Sequence, residues 1–196
     1  MDFSDAEGVL KLAEKCNGSG DCRKSVEAGG TMCPSYRATR DEKDTTRARA
    51  NALREFLTNS DKENRFDHQE LKEVLDLCIS CKGCKSECPS NVDMAALKAE
   101  FQFQYYKSNK PSLRDRTFAG ITKQNAMASK VPGLSRFVMQ NKFTSRIAKD
   151  LLGVAVEREL PAVGKTTLKK YYLANKEKLK VQNPVRTVYL FNDEFT

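Results

Sequence analysis

Four cysteines fall within eleven residues of this sequence, and their spacing constrains the fold more than any other feature. Cys78, Cys81 and Cys84 are each separated by two residues, and Cys88 follows after three more and precedes Pro89. In a run of this kind, three thiolates from one tight turn hold one iron–sulfur cluster, whereas the fourth ligates a second cluster. The run therefore requires a second cysteine segment, and each segment must supply one thiolate to the other's cluster.

The partner segment lies near the N-terminus. Cys16 and Cys22 are six residues apart, which is also the separation of the first and third cysteines of the later run, and Ser19 takes the position of the second cysteine. After a longer loop, Cys33 precedes Pro34 and forms a second cysteine–proline pair. The two segments are therefore a degenerate internal repeat in which one cysteine is replaced and one connection is lengthened.

The crossed arrangement predicts two ligand sets. The first has four thiolates, as a 4Fe-4S cluster requires: Cys33, Cys78, Cys81 and Cys84. The second has three thiolates, with Ser19 at the vacant corner: Cys16, Cys22 and Cys88. A 3Fe-4S centre, a 4Fe-4S centre with serine or an external ligand, and an empty degenerate site remain open for it. Gly20 and Gly83 are predicted to let the backbone pass close to the clusters, and with Ser19 they complete the predicted cofactor-binding residues.

Composition excludes several other functions. The cysteine count of seven is odd and no signal peptide precedes the cysteines, so a disulfide framework is not expected. A structural zinc site is the alternative for the run, although zinc ligand pairs are usually separated by a longer span. The formal charge of +8 does not imply nucleic acid, because clusters with their thiolates carry negative charge. No stretch is apolar enough for a membrane span.

The apolar pattern predicts a mainly α fold in which helices flank both cysteine segments. Helices are expected over residues 5–16 and 41–59, from a capping box of Asp67 and Glu70 into the cysteine run, and after a cap at Asp93. The expected domains are a helical iron–sulfur domain (1–108), a helical extension or linker (109–181), and the start of a truncated α/β domain (182–196). The last rests on Val185–Phe191, which has the composition of a strand but no sheet to join.

Several other residues invite a functional interpretation for which a structural one is preferred. His68, the single histidine, is predicted to be a solvated side chain rather than a ligand. A solvated helix face is preferred for the arginine series, and core packing over flavin stacking for the aromatic patch. These sets comprise Arg47, Arg49 and Arg54, and Phe101, Phe103, Tyr105 and Tyr106. Lys82, Lys85, Arg23 and Lys24 flank the cysteines and are expected to raise the reduction potential of a bound cluster.

These motifs resemble the iron–sulfur portion of FAD-linked dehydrogenases of the D-lactate and D-2-hydroxyglutarate dehydrogenase type. The resemblance is carried by Cys-Asn-Gly-Ser-Gly-Asp-Cys-Arg-Lys, by Gly-Gly-Thr-Met-Cys-Pro-Ser-Tyr-Arg and by Leu-Asp-Leu-Cys-Ile-Ser-Cys-Lys-Gly-Cys-Lys-Ser-Glu-Cys-Pro, within residues 15–108. It implies an α-helical ferredoxin fold like that of succinate dehydrogenase and heterodisulfide reductase iron–sulfur subunits. It also implies a flavin domain before Met1 and a cysteine-rich α/β domain that begins near Pro184.

The expected function is an electron-transfer module that relays electrons from reduced FAD, bound in an absent domain, to an acceptor. Its expected partners are the flavin dehydrogenase domain, in the same polypeptide, and that acceptor; no catalytic residue is predicted within the chain. The alternative is a non-redox scaffold in which zinc or a single cluster staples the helices while the basic residues of 109–181 bind a partner. A cytoplasmic location is expected, with peripheral association at the inner membrane face as the second option.

Overall fold

The computed structural model describes residues 2–181 and 185–190, and within these ranges all regular structure is helical. The chain divides into two compact units, residues 1–110 and 111–196. The prediction of a mainly α fold is therefore confirmed. No helix among the described residues is long and apolar enough to cross a membrane.

The first unit contains six α-helices and three short 3-10 turns. The helices are α1 (Val9–Glu14), α2 (Pro34–Thr39), α3 (Thr46–Asn59), α4 (Gln69–Asp76), α5 (Gly83–Glu87) and α6 (Met94–Ser108), and the 3-10 turns are Ser4–Ala6, Asp21–Arg23 and Glu42–Asp44. Apolar side chains three and four residues apart give α1, α3, α4 and α6 one buried face each. These faces form a common core that includes Leu12, Ala13, Ala50, Leu53, Leu71, Leu75, Leu97 and Phe101.

Side-chain caps begin the two longest helices of this unit. The Thr45 hydroxyl accepts a hydrogen bond from the Ala48 amide at the start of α3, and the Asp93 carboxylate accepts one from the Ala96 amide at the start of α6, each at 3.0 Å. Such caps satisfy amides that have no partner within the helix. Asp93 therefore caps its helix as predicted.

The predicted capping box at the start of α4 is wrong. This helix begins after His68, without a side-chain cap, and the Asp67 carboxylate instead accepts a hydrogen bond from the Asn109 amide at 2.6 Å. His68 itself is half-buried rather than solvated, because its Nε2 lies 2.8 Å from the Ser60 hydroxyl and its ring lies 4.6 Å from that of Phe56. Tertiary partners thus replace the local cap that the sequence pattern suggested.

The arginine series on α3 and the aromatic patch on α6 are each divided between surface and core. Arg54 is exposed, as predicted, but Arg49 is fully buried, so a wholly solvated arginine face is wrong. In the aromatic patch, Phe101 and Tyr105 are buried in the core whereas Phe103 is 61% exposed. Tyr106 is partly buried and packs against this core, so core packing is correct for three of these aromatic residues and wrong for Phe103.

The described residues of the second unit form five helices: α7 (Leu113–Ala119), α8 (Ile121–Ala128), α9 (Pro132–Gln140), α10 (Lys142–Leu152) and α11 (Leu168–Asn175). Gly153 ends α10 in the left-handed conformation. Large apolar side chains of α9 and α10 remain exposed, including Leu134, Phe137, Phe143, Ile147 and Leu151. This unit therefore buries few of the apolar residues that its helical pattern presents.

The predicted C-terminal strand does not form. Residues 185–190 have no regular structure, and Phe191, at the end of the predicted strand, lies outside the described residues. A strand needs a neighbouring strand for its backbone hydrogen bonds, and the described part of the chain contains none.

Candidate metal centres

Two adjacent pockets in the first unit divide the seven cysteines into two groups. The first pocket is lined by Cys33 together with Cys78, Cys81 and Cys84. The later run thus meets the cysteine that ends the long loop of the earlier segment. These four are the cysteines that the crossed arrangement assigns to one cluster.

The turn after α4 supplies three of these thiols because its backbone curls sharply. Ser80 and Lys82 both adopt the left-handed conformation, with φ of 54° and 61°, before α5 begins at Gly83. A Cβ at Gly83 would lie 2.8 Å from the Thr31 hydroxyl and 3.6 Å from Cys81 Sγ. Glycine at this position therefore allows the two cysteine segments to approach each other closely, as well as sparing space near a ligand sulfur.

The second pocket is lined by Cys16, Cys22 and Cys88. Ser19 and Gly20 lie in its wall, so the structure brings together all the residues predicted for the second site. Gly20 has φ of +82°, a conformation that glycine adopts without strain. Asn17 and Asp21 also line this pocket and add two oxygen-bearing side chains that the sequence analysis did not single out.

One wall is common to both pockets. Met32 and Thr46 line each of them, and both side chains are buried. Thr46 is the first residue of α3, so the start of this helix faces both cysteine groups. The partial positive charge of a helix start favours anions, and iron–sulfur clusters with their thiolates are negatively charged.

Glu87, one residue before Cys88, joins the two cysteine segments. Its carboxylate accepts hydrogen bonds from the Thr31 amide at 2.5 Å, the Thr31 hydroxyl at 2.6 Å and the Met32 amide at 3.1 Å. These bonds, led by the one from the Thr31 hydroxyl, lower the pKa of Glu87 to about 2. The residues before Cys33 are therefore fixed to the segment that carries Cys88.

Part of the first unit is similar to a known iron–sulfur family. Residues 15–93 match the 4Fe-4S dicluster domain family. The chain also resembles proteins named D-2-hydroxyglutarate dehydrogenase. The relative from Pantoea ananatis is 26% identical over 80% of this chain and 18% of its own length, and the relative from Escherichia coli is 23% identical over 94% and 22%. The relative from Pseudomonas putida is 26% identical over 72% of this chain and 17% of its own length.

The chain spans about a fifth of the length of these curated relatives. No solved structure matches it.

Buried thiols line both pockets. Burial raises the pKa of Cys22 and of Cys84, because removal from water disfavours the thiolate. The thiolate is the form that binds iron, so metal binding must displace these protons. Among the described residues, no three His, Cys, Asp or Glu side chains are placed to hold a single metal ion.

Arg49 places a buried positive charge against the first pocket. Its Nη1 lies 3.6 Å from Cys33 Sγ and donates to the Ser35 hydroxyl at 2.9 Å, while its Nε donates to the Val74 carbonyl at 3.0 Å. Its Nη2 lies 3.3 Å from the carboxylate of Asp44, which is also buried. The guanidinium is thus held by several acceptors, one of which is a predicted cluster ligand.

Arg47 lines the second pocket but is more weakly connected to it. Its Nε and Nη2 donate to Glu42 Oε1 at 3.0 and 2.7 Å, and its Nη1 lies 3.4 Å from the Gly18 carbonyl. Two effects raise the pKa of Arg47: the larger is the hydrogen bond to Glu42, and the smaller is the attraction between the two charges. The positive charge at the second pocket is therefore largely balanced by a carboxylate.

Three of the four basic residues expected to raise the potential are also paired with carboxylates. The pairs are Arg23–Glu42 at 3.1 Å, Lys24–Glu87 at 3.5 Å and Lys85–Asp93 at 3.3 Å. Such pairing reduces the field that each cation exerts on a nearby cluster. The cation in direct contact with a predicted ligand sulfur is Arg49, which the sequence analysis placed on a solvated face.

Proposed function

We propose that the chain is the iron–sulfur electron-transfer module of a flavin-linked 2-hydroxyacid dehydrogenase. Electrons from reduced FAD, bound elsewhere in the complete protein, would pass through the two clusters one at a time to an acceptor. The observation that carries the proposal is the division of seven cysteines from two distant segments into two adjacent pockets. The names of the relatives support the dehydrogenase class and, by extension, its substrate.

We assign a 4Fe-4S cluster to the first pocket, with Cys33, Cys78, Cys81 and Cys84 as its ligands. A 3Fe-4S or 4Fe-4S cluster is assigned to the second, with Cys16, Cys22 and Cys88 as its protein thiolates. The four thiols in the first pocket match the ligand number of a 4Fe-4S cluster, and the three in the second leave one corner without a protein thiolate. The buried wall of Met32 and Thr46 would separate the clusters by the thickness of one layer of side chains.

The rest of the chain is assigned from the resemblance. We infer an iron–sulfur domain over 1–108, a helical extension over 109–181, and the start of a cysteine-rich α/β domain over 182–196. The flavin dehydrogenase domain is then a covalent partner in the same polypeptide, and the electron acceptor is an external one. The cytoplasm, with the inner membrane face as the second option, remains the predicted location.

Iron and acid-labile sulfide analysis of protein purified without oxygen tests the proposal most directly. About seven or eight irons per chain are expected for two clusters, and about four would indicate one. Reduction with dithionite should produce a paramagnetic resonance signal from the first cluster. A protein that contains stoichiometric zinc, no iron and no such signal would contradict the proposal.

A non-redox scaffold is the second candidate, and the second unit favours it. Residues 111–181 contain 15 lysines and arginines against five aspartates and glutamates, and the exposed apolar side chains of α9 and α10 lie among them. Such a surface suits binding to an acidic partner. Cluster-containing protein that dithionite cannot reduce would support this function over electron transfer.

A further inference from the structure

We propose that Arg49 is a positioning residue that orients Cys33 and raises the reduction potential of the cluster in the first pocket. The inference rests on the proposed function, because it requires Cys33 to be a cluster ligand. It adds a specific determinant of potential to a site that has so far been defined only by its cysteines. The carrying observation is the 3.6 Å contact between Arg49 Nη1 and Cys33 Sγ.

The effect of Arg49 on Cys33 depends on the burial of its side chain. Arg49 is fully buried, so solvent and salt screen its charge far less than they screen the exposed cations around the cysteines. The positive charge of Arg49 therefore acts on Cys33 with little screening.

The charge of the cluster would become more negative on reduction. Reduction adds one electron to the cluster and its thiolates, and no bond between the cluster and the protein need break. A cation that contacts a ligand sulfur stabilises the more negative, reduced state and so raises the potential. Because Arg49 also binds Ser35 and Val74, its guanidinium need not reorganise when the charge changes.

The carboxylate of Asp44 lies next to the guanidinium of Arg49. Asp44 offsets part of the charge of Arg49, but its second oxygen accepts a hydrogen bond from the Thr39 hydroxyl at 2.7 Å. The Asp44 carbonyl in turn lies 3.0 Å from the Ser35 hydroxyl and 3.5 Å from Cys33 Sγ. Removing the arginine charge and removing the aspartate charge should therefore move the potential in opposite directions.

Arg47 provides an internal comparison two residues earlier in the same helix. Its side chain is 27% exposed and is bound twice by Glu42. Its closest hydrogen-bond partner at the second pocket is a backbone carbonyl rather than a sulfur. Its influence on the first cluster should be small, because a screened and paired charge exerts a weak field.

The test is a redox titration, followed by paramagnetic resonance, of anaerobically prepared wild type, Arg49→Met, Asp44→Asn and Arg47→Met. We expect Arg49→Met to make reduction of the first cluster at least about tenfold less favourable, equivalent to about 59 mV for one electron. Asp44→Asn should make reduction of the first cluster more favourable and so raise its potential. Arg47→Met should change the equilibrium of this couple by less than about twofold, measured on samples in which the signal of the first cluster is fully present.

The outcomes separate the inference from the proposed function. Wild type without iron and sulfide would overturn both, whereas wild type with clusters and an unchanged first potential in Arg49→Met would overturn the inference alone. If Arg49→Met does not assemble the cluster, Asp44→Asn decides: an unchanged or lowered potential overturns the inference, and a raised one supports it. Failure of both variants to assemble would show a purely structural role and would also overturn it.

Discussion

The two pockets share one wall, Met32 and Thr46, yet they differ in what surrounds the sulfurs. The first has four cysteines and a buried arginine against Cys33, whereas the second has three cysteines, oxygen-bearing side chains and an arginine paired with Glu42. One helix, α3, contributes both arginines. A degenerate repeat can therefore keep its geometry while the chemistry of its two sites diverges, and each prediction below tests one part of that divergence.

Replacement of a thiol in the first pocket should have the largest effect. Cys81→Ala leaves three thiolates for the first cluster, and because Cys81 is exposed the change leaves no cavity in the core. We expect the loss of about four irons and retention of the second cluster. Iron analysis and paramagnetic resonance measure both. Loss of both clusters from protein that remains folded by circular dichroism would contradict independent ligand sets.

The matching change in the second pocket is Cys16→Ala. With only two thiolates left, the second site should lose its three or so irons while the first cluster keeps its signal and potential. The same two measurements apply, and the two alanine variants serve as controls for each other. Should Cys16→Ala instead abolish the first cluster, the crossed assignment of ligands would be wrong.

A smaller effect is expected from Ser19→Cys, which would give the second pocket a fourth thiolate. If this pocket holds a 3Fe-4S centre, the variant should gain about one iron, and the paramagnetic resonance signal of the oxidised three-iron form should disappear. Asp21→Ala is the matched control, because Asp21 lines the same pocket without occupying the position of a missing cysteine. Unchanged iron content in Ser19→Cys would place the serine away from the vacant corner.

The smallest effect concerns the loop between the pockets. Glu87→Gln removes the charge that accepts from Thr31 and Met32, so exchange of these two amides with deuterium should accelerate several-fold while both clusters persist. In the folded protein the pKa of Glu87 is lowered from 4.5 to about 2. The stabilisation by the wild-type carboxylate should therefore be fully present above about pH 4.5 and decline as the pH falls towards 2.

Exposed Glu63→Gln is the control for this last change. It should leave exchange at Thr31 and Met32 at the wild-type rate. Equal exchange rates in Glu87→Gln and wild type at pH 7 would show that the carboxylate does not hold the loop.

Sequence spacing was sufficient to predict the two groups of cysteines, because metal ligands are constrained by geometry over short stretches of chain. The same is true of Asp93, whose cap is local. Glu87 could not be found in this way, because its partners lie 55 and 56 residues away and no periodicity links them. The predicted cap by Asp67 was wrong for a related reason, because Asn109, which is distant in sequence, binds the side chain that would otherwise cap α4.

Arg49 was predictable in part. It precedes Leu53 by four residues and therefore shares the buried face of α3. Its charge, however, favoured the prediction of an exposed side chain. A buried arginine needs partners from outside its helix, and Ser35 and Val74 supply them only once the fold is complete. The strand expected over 185–191 shows the opposite error, because composition favoured a structure that requires a neighbouring strand.

The pairing of Cys33 with the later run also has a consequence for the lifetime of the protein. The two residues Cys33 and Cys78 are 45 positions apart in the chain, so a cluster bound to both would act as a cross-link that closes a long loop. Cross-links of this kind restrict the unfolded chain more than the folded one. Oxidative loss of either cluster would remove one such constraint, so exposure to oxygen should convert a redox defect into faster proteolysis.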